Sequence, residues 1–266
     1  MLRSTLSLLA LCTVLVASAH AQSSKSSAIP RLPGGKPDMS GMWQALTTAN
    51  WNLLTHGASA GPPEYGALLA TPPGLGVVDG DAIPYLPAAA EQQKRNFAAR
   101  FQDDPELKCY MPGVPRANYL PYPLQIFHSD NRMLIAYQFA GTARIMNFGP
   151  PQPSAIDSWM GVSNARWDGD TLVVDVTGFN GQAWLDRAGN HASPSLHVVE
   201  RYTLATPDAI DYSATLEDPK TFSKPWTIRF RLYRNPDPRA HLMEFKCVPF
   251  TEPLLYGDLY KNPAKK

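Results

Sequence analysis

From Leu124 to Cys247 the chain is a succession of short apolar segments, several alternating with polar residues at a period of two. In "AIDYSATLE", Ile210, Tyr212, Ala214 and Leu216 alternate with Asp211, Ser213, Thr215 and Glu217. In "WTIRFRLY", Trp226, Ile228, Phe230 and Leu232 alternate with Thr227, Arg229 and Arg231. Successive side chains of a strand point to opposite faces, so this spacing predicts antiparallel sheet with one face buried and one wet. "RMLIAYQF", "ARIMNF", "WMGVSNARW", "TLVVDVTGF", "SLHVVERYTL" and "HLMEFKC" supply further strands, and Asp168-Gly169-Asp170 marks a hairpin turn. Eight strands in series without intervening helices predict a mainly β chain. An antiparallel meander closing into a lipocalin-like barrel over residues 124–250 is the favoured arrangement, with a β-sandwich as the alternative.

The remainder of the chain is of a different kind. The 26 prolines exceed the usual ~5% share and break up any helical architecture. Many fall in residues 37–123, a Pro-rich arm containing "PDMSGMW", "GPPEYG" and "TPPG". One short helix is expected within it, over residues 87–101. Pro87 suits a first turn, the alanines favour helix, and Phe97 and Phe101 share a face. Residues 22–36 read as a polar, disordered leader, and residues 251–266 as a C-terminal tail. Residues 1–21 read as a signal peptide: Arg3, an apolar stretch from Leu6 to Ala17, then Ala19-His20-Ala21 as a small-x-small cleavage site. That stretch is shorter than the ~20 residues a membrane span needs. Leu11 also occupies the position where a lipid-anchored Cys12 would need a small neighbour. A periplasmic or secreted protein without a membrane anchor is therefore expected.

A net charge of +1 and the lack of any basic stripe argue against a nucleic-acid partner. With Cys12 removed, Cys109 and Cys247 remain. Two cysteines in an oxidising compartment read first as one disulfide, with two free buried thiols as the alternative.

Chemistry is sought first in "HASPSLHVVERYT". Pro194 and the adjacent valines favour strand over helix. Leu196, Val198, Glu200, Tyr202 and Leu204 then share one face; His197, Val199, Arg201 and Thr203 share the other. Glu200 is the lone acid on an apolar face. It is the candidate general acid or base, acting on a ligand inside the barrel, or else half of an internal salt bridge to Arg144. His197 with Asp186 is the reserve acid–base pair, against a solvated outer face as the plain alternative. Arg144, Arg201, His191, Trp159 and Tyr202 are candidate substrate-binding residues, the aromatics being equally suited to the core. His191 lies in a loop at the expected barrel rim, and His56 and His128 are also loop histidines. No H-x-H, H-E-x-x-H or G-x-G-x-x-G pattern occurs, so no metal or nucleotide cofactor is expected.

Taken together, "PDMSGMW", "CYMPGVPR", "SWMGVSNARWDGDTLVVDVTGFN", "WLDRAGNHASPSLHVVERYT" and "LEDPKTFSKPW" make the chain resemble a large family of exported bacterial proteins. The resemblance covers most of residues 37–247. It implies a secreted, mostly β protein with a Cys109–Cys247 pairing, and no particular chemistry. Members often carry His-Pro-His after Asp-x-x-Gly, where this chain has Asn190-His191-Ala192. The functional expectation is an exported barrel acting on a small apolar, aromatic or sugar-like molecule. It would act as a cofactor-independent lyase, isomerase or hydrolase. The alternatives are a non-catalytic lipocalin-like binding protein and an envelope interaction module with a fully packed barrel.

Overall fold

The computed structural model describes residues 28–62 and 69–246. The expected signal peptide, the tail 251–266 and Cys247 lie outside the described residues. Nine strands follow one another around a closed barrel. They are β1 (Gly41–Ala45), β2 (Leu124–Ser129), β3 (Arg132–Tyr137), β4 (Ala143–Phe148), β5 (Val162–Asp168), β6 (Thr171–Thr177), β7 (His197–Thr206), β8 (Ala209–Glu217) and β9 (Trp226–Arg234). The sheet closes because β1 pairs with both β2 and β9. The architecture is thus the expected lipocalin-like barrel and not the sandwich.

The barrel departs from a pure antiparallel meander in one place, where β4 and β5 run parallel. Their connection, residues 149–161, has the dozen or so residues that a parallel crossover needs, and its prolines keep it out of the sheet. Strand membership also differs from expectation at both ends. β1 belongs to the barrel although it lies inside the Pro-rich arm, and residues 241–246 of the expected last strand form none. Instead Phe245 packs against Tyr122 and Phe139. β1 is short, so it covers only Leu232 to Arg234 of β9. The adjoining stretch of β9 is covered by the arm, with Arg229 N donating to Val77 O and Asp79 N to Thr227 O.

Period-two alternation places Leu124, Ile126, Met133, Ile135, Leu172, Val174, Val176, Val198, Ile210, Ala214, Leu216 and Ile228 in one buried core. Interleaved with them on the same inward faces are Tyr137, Arg144, Ser163, Glu200, Tyr202 and Tyr212, all buried. The β5–β6 hairpin turns at Gly169, whose φ of +60° suits a residue without Cβ.

The single helix, α1 (Pro87–Asp103), runs two residues beyond the expected 87–101. It lies against the loop joining β6 to β7. Gln93 Nε2 donates to Ala188 O, and Asn96 Nδ2 to Gly189 O. Gly189, at φ +81°, allows that approach, since a Cβ there would meet Asn96 Cβ and Phe97 N at 2.7 Å. Residues 28–36, assigned to a disordered leader from sequence, are held against the β5–β6 hairpin. Arg31 pairs with Asp170 at 2.6 Å, and Lys36 Nζ donates to Gly169 O.

Candidate functional site

The barrel centre is occupied by one polar network. β7 carries Glu200 inward and β4 carries Arg144 toward it, as alternation dictates on each strand. Arg144 Nη2 donates to Glu200 Oε2 at 2.6 Å and Nη1 to Oε1 at 3.3 Å. Oε1 also accepts from Tyr202 OH, Tyr212 OH and Asn118 Nδ2, at 2.9, 2.8 and 2.9 Å. Tyr137 OH donates to Asn118 Oδ1, and Arg144 Nε and Nη2 reach Ser163 Oγ. The Glu200 side chain is 0% exposed and that of Arg144 is 2% exposed. Burial works against the Arg144 charge, but Glu200 beside it outweighs that penalty and holds the guanidinium well above its ordinary pKa. Tyr137 is pushed up to about 12 by burial, with Arg144 opposing and Glu200 adding to the shift. The network joins an ion pair and three phenols, each hydrogen-bonded to another member. None of the cavities described below is lined by Glu200.

The remaining sequence candidates do not converge on Glu200. His197 faces outward and meets Asp175 of the neighbouring strand, with Nε2 3.2 Å from Oδ1. Asp186 is fully buried elsewhere, so the expected Asp186–His197 pair does not form. Its carboxylate accepts from Leu53 N at 2.8 Å, Asn190 N at 3.1 Å and Asn190 Nδ2 at 2.6 Å. Burial nevertheless raises its pKa to about 6, against those hydrogen bonds. Arg201 lies on the outer wall, paired with Asp168 at 2.8 Å. His191 is half-buried and stacks on Tyr85 at 5.6 Å, where burial lowers its pKa. Trp159 stacks on Tyr110 at 5.0 Å, away from the barrel centre. Only Arg144 and Tyr202 join Glu200. Cys109 is disulfide-bonded, in a left-handed turn after α1, while Cys247 is outside the described residues.

A second buried ionic network lies beneath α1, and sequence reading did not single it out. Arg116 donates from Nη1 and Nη2 to both carboxylate oxygens of Asp104 at 2.9 Å, and from Nη2 to Glu106 Oε2 at 2.7 Å. Arg187 binds Glu106 from Nε and Nη2 at 2.7 and 2.8 Å. Burial alone would raise Glu106, but Arg187 and Arg116 together bring it down to about 2. Arg187 also lies over the Trp51 ring at 4.3 Å.

Above this network is a partly open cleft of about 150 Å³. Trp51 and His56 from the arm, Phe97, Arg100 and Phe101 from α1, and Arg187 from the β6–β7 loop are among its walls. Arg100 stacks on Phe97 and Phe101 at 4.0 and 4.2 Å. His56 Nδ1 lies 2.7 Å from Leu54 O, a carbonyl that can only accept, so Nδ1 carries the hydrogen. Its other nitrogen, Nε2, is buried without a hydrogen-bond partner among the described residues. A wider groove of about 780 Å³ opens on the outer wall at β2–β4, lined by Phe127, Leu134, Ile145 and Gln152 among others. It is the more open of the two and carries fewer charged groups.

Among the described residues, no group of three His, Cys, Asp or Glu is placed to hold a metal ion. No helix among them is long and apolar enough to cross a membrane. No family model, curated protein or solved structure matches the chain.

Proposed function

We propose that the chain is an exported, non-catalytic small-molecule binding protein whose barrel interior is a closed polar core. Its ligand site would be the cleft between α1, the Pro-rich arm and the β6–β7 loop. One contrast supports this reading. Glu200 is saturated by four donors at one oxygen and a guanidinium at the other, whereas the cleft combines aromatic walls, cationic groups and an orphan imidazole nitrogen. An acid–base catalyst needs a proton-transfer atom within reach of substrate. A binding site needs a mostly apolar cavity with a few placed polar groups. The cleft has the second character, and the barrel centre lacks the first. Export would follow cleavage after Ala21, and Cys109 would pair with Cys247 in the oxidising compartment.

The test is a thermal-shift screen of single-ring organic compounds against the mature protein, with recovery of each binder by mass spectrometry. Binders should be recovered unchanged and should lose their effect on Trp51→Ala. Chemical conversion of a binder would overturn the non-catalytic reading. Binding that survives Trp51→Ala but is lost on Tyr212→Phe would move the site into the barrel.

A further inference from the structure

We infer that the ligand of this cleft is a single-ring aromatic carboxylate, bound by Arg100 and Arg187 with its ring against Trp51, Phe97 and Phe101. The inference rests on the binding-protein reading above and narrows it to one chemical class.

Size sets the first limit. A cavity of about 150 Å³ matches those known to hold one benzene-sized molecule, and is below the ~300 Å³ at which drug-sized pockets begin. The walls set the second. Three aromatic rings line so small a space, and flat apolar faces of this kind favour a planar ring over a flexible chain.

Charge sets the third. The two buried carboxylates near the cleft are both committed: Asp104 to Arg116, and Glu106 to Arg116 and Arg187. Arg116 and Arg187 thus already have carboxylate partners. Arg100 has no carboxylate partner among the described residues. Its Nη1 donates to Phe97 O at 2.7 Å, which supplies a dipole but no opposite charge. A cation partly removed from water without a counter-ion is costly, and a ligand carboxylate restores the balance. A neutral aromatic would leave that cost in place, and a ligand amine would add to it.

His56 adds a fourth, directional limit. With Nδ1 committed to Leu54 O, Nε2 is the ring nitrogen left without a partner among the described residues. A ring hydroxyl would satisfy it, so hydroxybenzoates fit better than benzoate.

Isothermal titration of the mature protein with 4-hydroxybenzoate, benzoate, benzamide and acetate tests this. Charge-assisted hydrogen bonds contribute enough that the two aromatic acids should bind about tenfold or more tighter than benzamide and acetate. Arg100→Gln should remove most of that preference, with the circular dichroism spectrum checking that the fold is retained. His56→Ala should erase the advantage of 4-hydroxybenzoate over benzoate. Equal affinity for benzoate and benzamide, or aromatic-acid binding indifferent to Arg100→Gln, would overturn the carboxylate assignment and leave the cleft as the site. Failure of all four probes to bind would overturn the assignment too. The cleft reading falls separately, if screened compounds bind Trp51→Ala as they bind the wild type.

Discussion

Glu200→Gln keeps the shape of the side chain and removes the anion beside Arg144. Both groups are essentially inaccessible to solvent, so water cannot compensate. If the amide oxygen takes the place of Oε1, it can still accept from Tyr202, Tyr212 and Asn118. Its NH2 then faces Arg144 Nη2 at the position now spanned by a 2.6 Å bond, and two donors confront each other. Removing one partner of a buried pair costs about 3–5 kcal/mol. For a chain of this size, about 2–4 °C per kcal/mol converts that into a fall in Tm of roughly 6–20 °C. Arg144→Met removes the cation and should cost a comparable amount. The double variant buries no unpaired charge; its main remaining loss is the partner of Ser163, about 1–3 kcal/mol. The two single losses would therefore sum to well above the double loss, a coupling of about 3 kcal/mol or more. Urea unfolding of the four proteins at pH 7, followed by tryptophan fluorescence, measures this cycle. A Glu200→Gln cost below about 1 kcal/mol, or additivity within ~0.5 kcal/mol, would refute the structural role given to the pair. An acid held ready for proton transfer is commonly a stability liability, so its removal would have the opposite sign.

Other consequences can be checked with the same measurement. Asp186 has a folded pKa of about 6 against an ordinary value of 3.8, so between those values the folded state holds more protons than the unfolded. Its contribution is therefore present below pH 4 and lost as pH rises through 6, about 3 kcal/mol in all. The stability difference between wild type and Asp186→Asn should shrink by up to that amount between pH 4 and 6; a difference that grows would mean that the three donors outweigh burial. Glu106 has the opposite sign: with its pKa held near 2, it stabilises above its ordinary 4.5, and that contribution fades as pH falls toward 2. Arg187→Ala should narrow this acid-side loss, and an unchanged acid limb would contradict the pairing. Gly189→Ala should cost about 1–3 kcal/mol through its left-handed backbone and the crowding of Asn96 and Phe97. It should also speed amide exchange in α1, and unaltered exchange there would remove the close-approach argument.

The parts of this structure legible in the sequence are those fixed by local periodicity. Ile210 to Leu216 and Trp226 to Leu232 announce their inward faces, and the same alternation turns Glu200 and Arg144 toward one another across the barrel. It also sends His197 outward, where Asp175 meets it. What the sequence conceals depends on where long connections travel. The parallel β4–β5 pair follows from the path of residues 149–161, and β1 finds partners in β2 and β9 far along the chain. Asn118 reaches Glu200 because the arm folds over the barrel, although its local motif reads only as a Pro-rich turn. The cleft draws on three separate segments. Its legible clues are the loop histidine His56 and the i, i+4 spacing of Phe97 and Phe101, which supports a helix and not a binding wall. Asp186 was placed beside His197 by nearness in sequence, whereas Leu53 and Asn190 hold it inside the loop.

The most direct test of the whole account is a crystal structure of the protein grown with 4-hydroxybenzoate. The account predicts the ring in the cleft lined by Trp51 and Phe97, its carboxylate on Arg100 and Arg187, and the Glu200–Arg144 network undisturbed. Ring density inside the barrel, within hydrogen-bonding distance of Glu200, would contradict it.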